Sequence, residues 1–281
     1  FDIDSPHCYR CPLSLKFPEC GLACVSPLEH LLQEHHQCIA VLIIEPMVQA
    51  VAGIIPSPPG YLRTVRDLCN RYHVLMIADE VATGIGRTGR MFACEHEQIT
   101  PDLLAIAKGL TGGYLPLAAT LATQQIYDAF LGDYEAGRTF FHGHSYTGNP
   151  LGCAAALATL DVFKRQRTLH KLKKRIPWLH DRLKSLGRDP WVGDIRQIGY
   201  MIGIEIVSDK NRKERFPPTK RVGFHIAEQC RTLGLLIRPI GDILILMPPL
   251  SASTKELQQM VNILTRAIAL VRTQASEALP I

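Results

Sequence analysis

The chain has 281 residues, 47% of them hydrophobic and 20% charged, with a formal net charge of +5. That length allows one large or two ordinary domains with a sizeable core. No apolar run reaches membrane-spanning length, the charge is too weak to mark a nucleic-acid binder, and nine scattered cysteines, an odd number, do not suggest a disulfide framework.

Residues 1–25 are rich in proline and cysteine, lack periodicity and are expected to form loop. Cys8-x2-Cys11 and Cys20-x3-Cys24 have spacings that a structural zinc could use. A loop of reduced thiols explains them as well, and no metal is assigned. Phe1 is followed by no secretory pattern, so the chain is expected to be cytoplasmic and is read as a fragment. A helix is expected over 27–36 and an apolar strand over 40–45. Pro58-Pro59-Gly60 should open a helix through Arg71, with proline tolerated in its first turn. Apolar strands follow at 74–79, 103–107 and 117–122. Strands alternating with helices predict a parallel, doubly wound sheet. Asn149 as N-cap and Pro150 as first helical residue start a long helix over 151–163, which continues into a basic stretch, 164–175. Its charge reads as a solvated face. The domain boundary is placed at 163: residues 1–163 form the large domain and 164–281 a smaller α+β domain. In the latter, 195–207 and 243–247 read as strands, 221–233 and 254–271 as amphipathic helices, and 210–221 as a charged surface loop.

The organising stretch is Val74 to Gly89. It runs as an apolar strand, ends on Asp79-Glu80 and passes into a glycine-rich loop. Open α/β sheets bind ligands at the carboxyl ends of their strands. A carboxylate there needs a partner, which could be a cofactor nitrogen, a metal or an arginine. The next strand ends on Lys108-Gly109, about one strand-crossover-strand unit later. An acid and a lysine at one sheet edge are what a pyridoxal phosphate enzyme needs. Gly84 to Gly89 satisfies GxGxxG, but it stands too far from the strand end, and opens no helix, for a dinucleotide fingerprint.

Asp79-Glu80-Val81-Ala82-Thr83-Gly84 with Gly86-Arg87-Thr88-Gly89, then Ala107-Lys108-Gly109-Leu110-Thr111-Gly112-Gly113, resemble the signature of class III pyridoxal phosphate aminotransferases. Phe92 to His96, His142-Gly143-His144-Ser145 and Ile237-Arg238-Pro239-Ile240-Gly241 resemble the biotin-pathway branch of that family. The resemblance runs over nearly the whole chain, while the family's N-terminal part is absent. It implies an α/β fold, PLP fold type I. The large domain, with its mostly parallel sheet, is cut at its N-terminal side, and a smaller C-terminal α+β domain follows.

The implied activity is transamination of 8-amino-7-oxononanoate to 7,8-diaminononanoate, with pyridoxal 5'-phosphate as cofactor. The implied amino donor is S-adenosylmethionine or lysine, because His144-Ser145 departs from the more usual Pro-Thr. The resemblance makes Lys108 the Schiff-base lysine and proton carrier. Asp79 becomes the partner of the pyridine nitrogen, and Val81 packs on the ring face. Glu80 points the other way and is structural. The resemblance further places His144 and Ser145 at the cofactor phosphate of a neighbouring subunit, Gly143 beside the substrate and Arg238 on the substrate carboxylate. It thus implies a homodimer with shared active sites and a small-molecule substrate, without nucleic acid or membrane. The fragment alone is expected to bind cofactor poorly. The alternatives are another class III ω-aminotransferase, of ornithine or aminobutyrate type, and a non-catalytic fragment serving as an interaction module.

Overall fold

The computed structural model describes residues 1–277. In chain order its helices and strands begin with α1 (Ser26–His35), β1 (Val41–Ile44), β2 (Val48–Gln49), β3 (Ile55–Pro56), α2 (Tyr61–Arg71), β4 (Leu75–Asp79), β5 (Leu103–Ile106) and β6 (Ala119–Ala122). They continue with α3 (Gln124–Ala129), α4 (Pro150–Arg165), α5 (Thr168–Leu183), β7 (Val192–Ile198), β8 (Met201–Ile206), α6 (Val222–Thr232), β9 (Arg238–Ile240), β10 (Ile243–Leu246) and α7 (Thr254–Glu277). The chain divides into two units. The first comprises Phe1–Met47, Ser57–Gly86 and Arg90–Arg167; the second takes in Val48–Pro56, Arg87–Gly89 and the chain from Thr168 onward.

The first unit is built on a sheet in the order β1-β4-β5-β6. β1 pairs β4 and β4 pairs β5 in parallel. The expected strand at 117–122 is present as β6 but runs antiparallel to β5. Helix α2 buries Tyr61, Leu62, Val65, Leu68 and Cys69, a stripe at helical spacing. It does so against Leu28 and Leu32 of α1 and Met76 and Ala78 of β4. The helix begins at Tyr61, with Gly60 at φ +89° as N-cap, so the two prolines lie ahead of it. Strands β1 and β4 are the apolar runs expected, and such runs fit a sheet covered on both faces. Instead only one face is covered. Alternation along the strand sends Met76 and Ala78 inward, while Ile43 is 67% exposed and Leu75 39%.

The second unit has an all-antiparallel sheet in the order β7-β8-β10-β9. The single strand expected over 195–207 is a hairpin: β7 and β8 turn at Gly199-Tyr200, with Gly199 at φ +59°. All six residues of β8 are buried. They pack with Leu172, Leu179 and Leu183 of α5, Ile226 and Cys230 of α6, and Leu257, Val261 and Leu264 of α7. Lys173 and Lys174 lie on the exposed face of α5, as the basic stretch predicted. The β2-β3 hairpin packs on β8 so closely that a Cβ at Gly203 would stand 2.7 Å from the Gly53 carbonyl. Beside it Arg196 is buried. It donates to the Ile54 carbonyl at 3.0 Å and the Gly53 carbonyl at 3.1 Å, and pairs with Glu205 at 2.5 Å and Asp194 at 3.1 Å.

Candidate active site

Asp79 is the last residue of β4, and its register partner on β5 is Ala105. Lys108 follows three positions later, just past the end of β5. Two parallel strands thus deliver an acid and a lysine side by side at their carboxyl ends, where such sheets bind ligands. Asp79 lies on the open face of the sheet and is half-buried. Its Oδ1 accepts the Val81 N–H at 3.0 Å, which turns the chain and draws Val81 close behind the acid. Among the described residues Asp79 is in no ion pair, so its second oxygen keeps its capacity as an acceptor. Lys108 is exposed, at φ +43°, and begins a short 3-10 turn, Lys108–Thr111. Burial therefore does not desolvate its amine in this chain.

Glu80 takes the opposite direction, as alternation requires, and is fully buried. Its carboxylate accepts the Thr83 hydroxyl at 2.7 Å and the Ala93 and Cys94 N–H groups at 2.9 and 2.8 Å. Its own N–H donates to the Ala105 carbonyl at 2.9 Å. A buried carboxylate is tolerable when donors surround it. The structural role expected of Glu80 is what these bonds describe: they tie the returning 93–94 turn to the strand end that carries Asp79. Burial, and then the adjacent Glu80 carboxylate, push the Cys94 thiol up from its ordinary value.

Gly143, His144 and Ser145 are exposed, in the same unit, on the approach to α4. The His144 N–H donates to the Thr147 hydroxyl at 2.9 Å, and the Tyr146 N–H donates to His144 Nδ1 at 3.1 Å. Asn149 caps α4, with Oδ1 accepting the Leu151 N–H at 2.9 Å and the Gly152 N–H at 3.4 Å. Helix α4 packs beside the lysine turn: Ala156 joins Ile106 and Leu110 in one apolar cluster. Arg238 belongs to the second unit, exposed at the start of β9 opposite Ile245, and its side chain makes no hydrogen bond or ion pair among the described residues.

The four N-terminal cysteines are free thiols. Partial burial and neighbouring thiols raise Cys8 and Cys24. Among the described residues no group of three or more His, Cys, Asp or Glu is gathered to hold a metal.

The sequence reading missed Ile85. It lies in the glycine loop, packs with Ile106 and Leu110 and presses on Gly109. The available signal was a β-branched residue between two glycines, where a flexible turn needs none.

The family model for class-III aminotransferases matches residues 3–268. The chain belongs to the class III aminotransferases. An adenosylmethionine-8-amino-7-oxononanoate aminotransferase of Nitratidesulfovibrio vulgaris strain Hildenborough is 50% identical over 97% of this chain and 50% of its own length. A crystal structure of the aminotransferase of that name from Methanocaldococcus jannaschii superposes with a TM-score of 0.87 at 42% identity, over 90% of this chain and 59% of that one. An amine transaminase from an uncultivated Pseudomonas species, in its PLP-bound form, gives 0.90 at 38% identity, over 96% and 61%. The class III chain described here thus spans about half the length of the curated relative it matches. Its fold is the fold type I of these transaminases. No helix among the described residues is long and apolar enough to cross a membrane.

Proposed function

We propose that the complete protein carrying this chain is a pyridoxal phosphate-dependent aminotransferase of biotin biosynthesis. It converts 8-amino-7-oxononanoate to 7,8-diaminononanoate, taking the amino group from S-adenosylmethionine or lysine. The observation that carries this reading is the placement of Asp79 and Lys108 at the ends of two adjacent parallel strands, in a chain half identical to an enzyme named for that substrate.

The residues present fit the cofactor. Asp79 keeps a free acceptor oxygen for a protonated ring nitrogen, and a charge-assisted hydrogen bond there favours the protonated form. Lys108 Nζ provides the covalent attachment, and when released it moves a proton at the substrate carbon bearing nitrogen. Val81 supports one face of the ring. Gly143, His144 and Ser145 offer N–H and hydroxyl groups to the phosphate and substrate of the neighbouring subunit's site. Arg238 holds the terminal carboxylate of the oxo-acid with its planar fork. When bound, the cofactor supplies an electron-withdrawing ring that eases loss of that proton. The protein acts as a homodimer in the cytoplasm. Exposed apolar residues on the first unit, Phe141 at 92%, Leu151 at 68% and Leu157 at 66%, support a covering partner.

The test uses the complete protein with each substrate. Borohydride should fix pyridoxal phosphate to Lys108, and Lys108→Ala should abolish both fixation and turnover. Arg238→Ala should cost roughly 2–5 kcal/mol with 8-amino-7-oxononanoate, by leaving its carboxylate unpaired, while cofactor binding stays normal. Reaction with ornithine or aminobutyrate, and none with the oxononanoate, would move the protein to another branch of class III.

A further inference from the structure

Lys108 is held in a conformation that lysine seldom adopts. Its φ of +43° lies in the left-handed region, between an extended Ala107 and a tight turn closed by Leu110 N–H to Ala107 carbonyl at 3.0 Å. Something must impose that backbone. The residue packed on both sides of it is Ile85. Ile85 is 3% exposed and belongs to one cluster with Ile106, two positions before the lysine, and Leu110, two positions after. Between them stands Gly109. Its φ is not in the left-handed region, so the backbone does not demand glycine there. Ile85 does: a Cβ on Gly109 would lie 3.0 Å from Ile85 Cβ and 3.3 Å from Cγ2.

Ile85 is itself held at φ +53°, an unusual place for a β-branched side chain. Its neighbours fix it there. The Gly84 N–H donates to the Glu80 carbonyl at 2.9 Å and the Gly86 N–H to the Met91 carbonyl at 3.2 Å. Glu80 in turn anchors Thr83, Ala93 and Cys94 through its buried carboxylate. The loop that follows Asp79 therefore ends as a rigid wedge against the turn that presents Lys108.

We propose that Ile85 is a positioning residue: wedged against Gly109, it sets the left-handed backbone of Lys108 and so aims the amine at the reacting atoms. The inference rests on the functional reading given above and goes beyond it in naming what holds the lysine. It couples the acid of one strand to the lysine of the next through a loop that bonds Asp79 at one end, by the Val81 N–H at 3.0 Å, and meets Gly109 through Ile85 at the other.

The experiment uses the complete protein loaded with pyridoxal phosphate. Its visible band is titrated with pH, borohydride capture is mapped by peptide mass, and the cofactor-free protein is melted. Gly109→Ala drives a methyl group into Ile85. It is expected to move the titration midpoint by about one pH unit, a tenfold change in the protonation equilibrium. It should also lower kcat about tenfold with KM for the amino donor little changed. Ile85→Val keeps the atoms that meet Gly109 and should titrate as wild type. Ile85→Gly suits the positive φ and removes those atoms, so the double variant with Gly109→Ala should shift the midpoint by less than the two single shifts combined. If Gly109→Ala melts below the assay temperature, Ile85→Ala replaces it, with a shift of the midpoint again expected, read below that variant's own melting point, which loss of a buried side chain lowers. An unmoved midpoint, or strictly additive shifts, overturns the role of Ile85. A wild-type protein that links cofactor at another lysine, or at none, overturns the functional reading instead, and the inference falls with it.

Discussion

The two units carry their buried charge and apolar surface in different ways. In the second, β8 is covered on both faces, and its buried acid Glu205 is held by an arginine, Arg196. In the first, β1 and β4 are covered on one face only, and the buried acid Glu80 is held by backbone N–H groups and a hydroxyl. The difference separates two tasks. An ion pair across a hairpin fastens a self-contained core. A carboxylate satisfied by neutral donors fixes a loop without placing a second charge beside Asp79 and Lys108, where chemistry would feel it. The open unit holds the acid and the lysine; the closed unit holds the thicker core.

Substitutions can break this contrast. The largest effect is expected at Asp79. Asp79→Asn should keep some cofactor but lose about 4 kcal/mol of transition-state stabilisation, near a thousandfold in kcat, since an amide cannot hold a ring-nitrogen proton as a carboxylate does. Steady-state kinetics of the complete protein checks it, and near-normal turnover would remove Asp79 from the site. Next comes Arg196→Ala, which strips Glu205 of its nearest counter-charge and leaves the Gly53 and Ile54 carbonyls without their donor. A loss of about 3–5 kcal/mol in urea unfolding is expected. A loss below about 1 kcal/mol would show that the pair does not fasten the hairpin. The smallest effect belongs to Ile43→Ser. Ile43 is 67% exposed, so the 281-residue chain should lose no more than about 0.5 kcal/mol. A larger loss would mean that this face is covered.

Much of this was legible in the chain. Asp79 and Lys108 stood out because each ends an apolar run and a crossover's length separates them, so topology alone brings them together. The helices were legible from stripes such as Tyr61, Leu62, Val65, Leu68 and Cys69. The antiparallel direction of β6 was not, because a short apolar run carries no sign of its direction. The β7-β8 hairpin read as one strand because its turn residue, Tyr200, is as fully buried as the strand β8 that follows it. Glu80 was legible in direction but not in partners: Ala93 and Cys94 reach it only when the loop has folded back. Ile85 was invisible for a related reason, since its contact with Gly109 exists only when two strands are already paired.

The register of Asp79 opposite Ala105 also bears on how the gene can change in length. Side chains alternate with a period of two, so one residue inserted within Leu103–Ile106 turns everything after it to the other face. Lys108 would be carried away from Asp79 even though every residue type were kept. The same insertion at exposed Gln98, in the connection between the strands, leaves both strands paired as before. Descendants of this chain can therefore differ freely in the length of that connection while the two short strands keep their residue counts. An insertion scan read by turnover would draw the two strands as gaps in an otherwise tolerant segment.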